Sequence, residues 1–360
     1  MPPPRGHTSE KVEIVGIMSP STGTRIAVWD GWRGLAISLV LVGHFTFSQW
    51  VWEERMGVDV FFVLSGMLMS NILFIDRMYL KDFYIRRFSR VVPALVVFLC
   101  ASFAVGLLMK YDFRLIEFVA KLFFIRAYFP AEPAIFASEL PTGHLWSLNV
   151  EEHSYILMSL ISVVLLARFK IAYALLALFV FSVLVNIRNY TSMPVNEFML
   201  TLFRTETTLG FIVFAAAYNL IKKELSISLH PVMPLVLFAL AFFCYLKSLP
   251  VWLTFTFAPV FLGVAVNHLT QSASWLQNAL AFAPLRWLGI LSYSIYLWQQ
   301  IFYKLHYALP GKAVTGLVLS IIAGVGSFFI IENPLRRYIN KRWCQTPRYR
   351  HEQIEEGTNQ

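Results

Sequence analysis

Apolar runs of roughly membrane-spanning length recur along this chain, and they restrict its fold more than any other feature. A helix of about 20 apolar residues crosses a hydrocarbon layer about 30 Å thick. Ten stretches approach that description, at about 31–50, 57–76, 91–109, 146–167, 171–187, 199–221, 232–247, 251–270, 287–305 and 313–331. Hydrophobic residues make up 57% of the chain and charged residues 14%. Soluble domains run at roughly 45–50% and 25%, so this much apolar surface calls for lipid. The expected fold class is an all-α polytopic membrane protein with about ten transmembrane helices.

An even number of spans puts both ends on one side. With the N-terminus inside, nineteen of the thirty Lys and Arg residues fall in inner segments and nine in outer ones, while Arg33 and Arg204 lie within spans. Basic residues are retained on the cytoplasmic side, so both termini are expected there. The same distribution accounts for the net charge of +9 with no nucleic acid as partner. The expected division is a polar segment over 1–25, a membrane domain over 26–340 and a polar tail over 341–360. No cleaved signal peptide is expected, because 1–25 lacks an apolar h-region. The outer segment 110–145 contains LIEFVAKLFFIRAYF, which reads as an interfacial amphipathic helix, and IENPLRRY opens a short surface helix. Cys100, Cys244 and Cys344 form no spaced pair and read as packing residues.

Ionisable groups inside apolar segments are costly among lipid tails, so they carry the functional signal. DGWRGLAISLVLVGH sets Arg33 and His44 eleven residues apart. On a helix that is about 16 Å of rise and about 20° of net rotation, which gives one face and two depths. An inner layer holds Asp30, Arg33, Arg87, Arg90 and Arg286. An outer layer is expected to hold His44, Asp59, Glu151, Glu152, His153, Arg204 and Glu206. Arg87 and Arg90 share a helical face and serve either as positive-inside anchors or as forks for the phosphates of an anionic ligand. Asp59 lies near the start of the second span and is expected to meet His44, since a carboxylate orients an imidazole and raises its basicity. The alternative for His44 is a hydrogen bond between helices. Glu151 and Glu152 point about 100° apart, so only one is expected to line a site. Arg204 and Glu206 read as a structural ion pair or as substrate contacts. The sequence holds no GxSxG elbow, HExxH pair, Cys/His cluster or phosphate-binding glycine loop. A covalent hydrolase, a metalloenzyme and an ATP-driven pump are therefore poorly supported, and no metal is expected.

Seven segments resemble, in order, the motifs of the membrane acyltransferase-3 family: DGWRGLAISLVLVGH, GVDVFFVLSGML, RRFSRVVPA, HLWSLNVEEHSYI, FRTETTLGF, LGILSYSIYLWQ and IENPLRRY. These are bacterial enzymes that O-acetylate lipopolysaccharide, capsule, nodulation-factor and antibiotic sugars. The likeness runs from about residue 26 to 340. It implies that Arg33 and His44 are essential and that Arg87 and Arg90 bind acyl-CoA at the cytoplasmic mouth. It also matches Trp146, Ser147, Leu148, Glu151 and Glu152 to the family's WSLxxEE element. The chain departs from the pattern at Glu206, where Asp is common, and at Gln299, where His often follows YLW. No hydrolase domain follows the last span, so the chain is expected to act alone or with a separate partner.

The implied reaction moves an acetyl or other acyl group from cytosolic acyl-CoA to a carbohydrate hydroxyl. Acetyl-CoA is then a co-substrate, and no cofactor is permanently bound. The acceptor is free or lipid-linked, such as a lipopolysaccharide O-antigen or exopolysaccharide unit, met among the lipids of the bacterial plasma (inner) membrane. His44 is the general base, completed by Asp59 and Glu151, and Arg33, Arg87 and Arg90 hold the coenzyme phosphates. Arg204, Glu206, Gln299 and Trp146 are candidate oxyanion or substrate contacts, and Trp50, Trp52 and Trp146 candidate stacking surfaces for sugar rings. Two other readings stay open. One is acylation of a small glycoside such as a macrolide. The other is a proton-coupled transporter using His44, Asp59 and Glu206, which has no need of a basic mouth aligned with an imidazole.

Overall fold

The computed structural model describes residues 23–46, 50–130, 135, 138–305 and 309–344. The polar N-terminal segment to residue 22 and the tail from 345 onward lie outside the described residues. All ten apolar stretches fall on helices. In chain order these are α1 (Gly23–Thr46), α2 (Glu53–Ser70), α3 (Leu80–Met109), α4 (Leu115–Leu122), α5 (Trp146–Val164), α6 (Arg168–Ser192), α7 (Val195–Thr201), α8 (Thr205–Thr208), α9 (Gly210–Glu224), α10 (Met233–Cys244), α11 (Val251–His268), α12 (Ser274–Leu280), α13 (Ala283–Leu305), α14 (Lys312–Ser327) and α15 (Asn333–Trp343).

Length and composition qualify five stretches as membrane spans: Glu53–Ile75, Leu80–Met109, Arg168–Ser192, Val251–Gln271 and Lys312–Trp343. A sixth is the α12–α13 pair, bent by 53° at its break. The ten expected spans exceed this because α9 has only 15 residues, α10 has 12, α1 carries Asp30, Arg33 and His44 along its length, and α5 carries Glu151, Glu152 and His153. Large apolar side chains stay exposed on the outward faces of α3, α6 and α14, among them Leu107, Leu108, Val180, Leu184, Val318 and Ile322. Polar groups such as Asp59 and Gln299 are fully buried. That inversion suits helices whose solvent is lipid.

The stretch expected as one sixth span is broken into α7, α8 and α9, and its sequence FRTETTLG explains the break. Threonine hydroxyls compete with helical backbone bonds. Here Thr208 Oγ1 donates to the carbonyl of Leu202 at 2.8 Å, and Thr207 Oγ1 donates to the carbonyls of Thr201 and Arg204. Arg55 of α2 satisfies Leu202 as well, donating from Nη1 at 2.8 Å. Irregular backbone at membrane depth is tolerated where it lines a cavity, and Leu202 and Phe203 do so here.

α1 packs against α2 and α13, and α13 packs against α14. A Cβ at Gly34 would overlap the Leu285 carbonyl, and one at Gly289 would overlap that of Asp30. These two glycines let the α1 and α13 backbones touch, as small residues do between membrane helices. In the outer segment, α4 turns Leu115, Ile116 and Val119 outward and buries Glu117 and Lys121. Glu117 Oε2 lies 3.1 Å from Lys121 Nζ and 3.5 Å from Arg126 Nε. Burial pushes the Lys121 ammonium down to about 8, although Glu117 pulls the other way. The IENPLRRY segment is no separate surface helix: α14 passes through a π-turn, Phe328–Glu332, into α15, which packs on α3.

Candidate active site

Two cavities lie end to end in the bundle, sharing Val58 and Tyr296 as walls. The inner one, about 130 Å³, is lined by Arg33, Arg87, Arg90, Glu151, Ser65 and Tyr293 among others. The outer one, about 330 Å³, is lined by His44, Arg55, His144, Trp146, Gln300 and Tyr303. One helix, α1, therefore supplies a guanidinium to the first and an imidazole to the second, as the spacing of Arg33 and His44 requires.

The α1–α13 contact fixes the partners of both. Arg33 Nη2 donates to Ser292 Oγ at 3.2 Å, and its Nη1 lies 3.8 Å from the Asp30 carboxylate, a loose pair that leaves donors free for another anion. His44 Nδ1 lies 2.8 Å from Gln299 Oε1. Gln299 in turn points Nε2 toward Gln300 Oε1 at 3.5 Å, which sets the orientation of its amide. A carbonyl oxygen only accepts, so Nδ1 carries the imidazole proton and Nε2 keeps a lone pair. The Tyr303 ring lies against His44 with centroids 4.7 Å apart.

The expected Asp59–His44 pair does not form. Asp59 is fully buried and accepts from Arg55 Nε at 2.9 and 3.1 Å and from the Tyr245 hydroxyl at 2.8 Å. The i,i+4 spacing of Arg55 and Asp59 on α2 makes this local pairing the easier one. Gln299, expected as an oxyanion or substrate contact, occupies the orienting position instead.

Glu151 also sits elsewhere than expected. α5 begins at Trp146 in the outer cavity and runs inward, and five residues at about 1.5 Å each carry Glu151 into the inner one. Its Oε1 accepts from Ser65 at 2.8 Å and from the Tyr155 hydroxyl at 2.7 Å. Arg87 bridges the two adjacent carboxylates, donating from Nη2 to Glu151 and from Nε to Glu152 at 2.6 Å, with its guanidinium 4.4 Å from the Tyr155 ring centroid. A long forked side chain thus reconciles two directions that the helical wheel separates. Glu151 is a positioning group for Arg87, remote from His44 by a whole cavity. Arg90 has no hydrogen bond or ion pair among the described residues, so Arg33 and Arg90 are the cations left for a ligand.

Arg204 and Glu206 line neither cavity. Glu206 accepts from the Tyr128 hydroxyl at 2.6 Å, and Arg204 lies 5.9 Å from the Tyr128 ring centroid, so they fasten the outer segment to the broken helix. Trp146 and Trp52 line the outer cavity, whereas Trp50 is 78% exposed. Several polar lining residues escaped the sequence reading, among them Glu54, Gln300 and Tyr303, and two stand out. Arg55 sits between the Trp146 and Phe255 rings, 4.8 and 4.7 Å from their centroids, and its spacing to Asp59 was the available signal. His144 stands two residues before Trp146 within HLWSLNVEE, the one histidine of that motif on the outer cavity. No group of three or more metal-ligating side chains occurs among the described residues.

Residues 26–344 match the model of the acyltransferase domain named acyltransferase-3. The O-acetyltransferase OatA of Staphylococcus aureus (strain NCTC 8325) is 26% identical over 89% of this chain and 58% of its own length. The peptidoglycan O-acetyltransferase OatA of Listeria monocytogenes is 26% identical over 86% of this chain and 55% of its own. The putative peptidoglycan O-acetyltransferase YrhL of Bacillus subtilis is 27% identical over 85% and 54%. The chain thus spans a little over half the length of these relatives. No solved structure matches it. Motif order, a basic cavity joined to an imidazole cavity, and a family match over nearly the whole chain lead to one assignment: the chain belongs to the acyltransferase-3 family.

Proposed function

We propose that this chain is an integral-membrane O-acyltransferase that passes an acetyl group from cytosolic acyl-CoA to a hydroxyl of a cell-envelope glycan. The observation that carries the reading is the single helix α1, with Arg33 in a basic cavity and His44 in the next, Val58 and Tyr296 being common to both. Guanidinium forks match phosphate oxygens, so Arg33 and Arg90 hold the coenzyme at the inner mouth, with Arg87 set beside them by its carboxylates. The pantetheine arm reaches past Val58 and Tyr296 and delivers the thioester to His44.

There Nε2 of His44 takes the proton of the acceptor hydroxyl as its oxygen attacks the thioester carbonyl. The tetrahedral intermediate collapses with cleavage of the C–S bond, and the imidazolium returns the proton to the departing thiolate. Gln299 holds the tautomer throughout. No Ser, Thr, Cys or Lys lines the outer cavity among the described residues, which favours direct transfer without an acyl-enzyme. The acceptor is placed by analogy with the peptidoglycan O-acetyltransferases, with an O-antigen or exopolysaccharide unit as the alternative glycan. In a bacterial plasma membrane with cytoplasmic termini, the outer cavity faces the envelope where such glycans are met, free or lipid-linked.

The test uses purified protein in lipid nanodiscs with acetyl-CoA and a soluble amino-sugar oligosaccharide. Mass spectrometry should find acetylated glycan in step with released CoA, and His44→Ala should lower both by about 10²–10⁴-fold. A covalently acetylated protein accumulating without acceptor would overturn direct transfer. CoA release that does not depend on His44 would overturn the assignment of the base.

A further inference from the structure

The imidazole of His144 has no function in the mechanism above, yet it lines the outer cavity beside His44. It is 4% exposed, and neither ring nitrogen makes a hydrogen bond of ordinary geometry. The carbonyl of Leu297, already inside helix α13, is the one backbone acceptor beside the ring. The Tyr296 and Phe98 rings meet it edge to face, with centroids 5.0 and 5.5 Å away. Its own backbone is pinned, because the hydroxyls of Tyr296 and Ser147 donate to the His144 carbonyl at 2.7 and 3.3 Å. A buried polar group is ordinarily paired, since leaving it bare is costly. Here the protein holds the ring at the edge of a cavity and offers its polar atoms one backbone carbonyl and no side-chain partner, which leaves a ring nitrogen free.

We propose that His144 is a substrate-binding residue of the acceptor site, whose free ring nitrogen hydrogen-bonds a hydroxyl of the incoming sugar. This rests on the acyltransferase reading above. The outer cavity suits such a guest: Trp146, Trp52 and Tyr303 give it aromatic walls, and Arg55 and Gln300 add polar edges. Aromatic faces take the apolar side of a sugar ring, while a few fixed polar groups choose its orientation. His144 differs from His44 in having no side-chain partner to orient it or to raise its basicity. It therefore binds a hydroxyl, and His44 removes a proton from one.

The experiment measures acetyl transfer from acetyl-CoA to the soluble amino-sugar oligosaccharide by wild type, His44→Ala, His144→Phe and His144→Gln, together with the melting temperature of each in nanodiscs. His144→Phe keeps the ring contacts and removes the polar atoms. It should raise KM for the glycan about tenfold, with KM for acetyl-CoA and melting temperature unchanged or slightly improved. His144→Gln should recover part of the glycan affinity. Should Phe prevent folding, His144→Met carries the same expectation. An unchanged glycan KM in both variants overturns the assignment, as does a loss of melting temperature with both KM values raised, the mark of a purely structural histidine. Undiminished activity in His44→Ala would instead strike the acyltransferase mechanism itself, and the acceptor site with it.

Discussion

The two cavities differ in how they treat charge, and the difference separates binding from chemistry. In the inner cavity the carboxylates are unevenly shared: Arg87 absorbs two, Arg33 keeps a loose pair with Asp30 at 3.8 Å, and Arg90 has no ion pair among the described residues. In the outer cavity Arg55 is matched by Asp59 and covered by rings, and the other titratable groups among the described lining residues are Glu54, two tyrosines and the imidazoles of His44 and His144. A site that must capture a polyanion from water needs unspent positive charge. A site that must move a proton needs instead an oriented lone pair, which the contact with Gln299 gives His44.

That contrast can be broken most directly at His44. Replacing it with Ala should lower acyl transfer by about 10²–10⁴-fold, the usual worth of a general base, while acetyl-CoA still binds. Equal loss of coenzyme binding would mean that the two cavities do not divide the work. Next comes Arg87→Met, which strands Glu151 and Glu152 without their cation. Removing one partner of a buried ion cluster costs roughly 3–5 kcal/mol, so a thermal melt in nanodiscs should show a large destabilisation. Asp59→Asn sharpens the same point on the outer side. It should destabilise the fold by loosening Arg55, and leave the pH dependence of the rate as in wild type. A shifted pH–rate profile would restore Asp59 as the partner of His44.

A smaller effect is expected from Arg90→Met, since an unpaired cation leaves nothing stranded. Its KM for acetyl-CoA should rise several-fold, roughly by one charge-assisted hydrogen bond, and the rise should shrink in high salt. The smallest effect concerns Lys121, outside both cavities. Its ammonium is lowered to about 8, so above that pH the folded chain gives up the proton before the unfolded chain does. The unfolded state then binds more protons, and stability should rise between about pH 8 and 10. Lys121→Met should flatten that slope in denaturation followed across the range.

The membrane class and the Arg33–His44 axis were legible because both depend on local periodicity: long apolar runs, and a residue spacing read along one helix. Asp59 and Glu151 were misplaced because their partners depend on packing between helices. Asp59 had a cation four residues before it on its own helix, a cue within reach of sequence reading. Glu151 required the direction of α5 relative to the membrane, and the stretch that seemed a simple outer edge enters the bundle instead. The break at Thr205–Thr208 had a local cause, a run of hydroxyl side chains, hidden by the apolar average around it. Gln299 drew notice only as a departure from the pattern the resemblance implies, and its contact with His44 depends on the meeting of α1 and α13.

The backbone-to-backbone seat at Gly34 and Gly289 has a consequence for which acyl donors are accepted. Arg33 and His44 share one continuous helix, so the interval between them is set by helical rise, and the seat fastens the Arg33 end of that helix to α13. Under the proposed reaction the arm of the coenzyme would be gauged against that fixed interval, and extra methylenes of a longer acyl tail would extend into the room the acceptor needs. Enlarging the walls at Phe203 or Met199 should then widen the range of acyl chains transferred, without touching the anchor below.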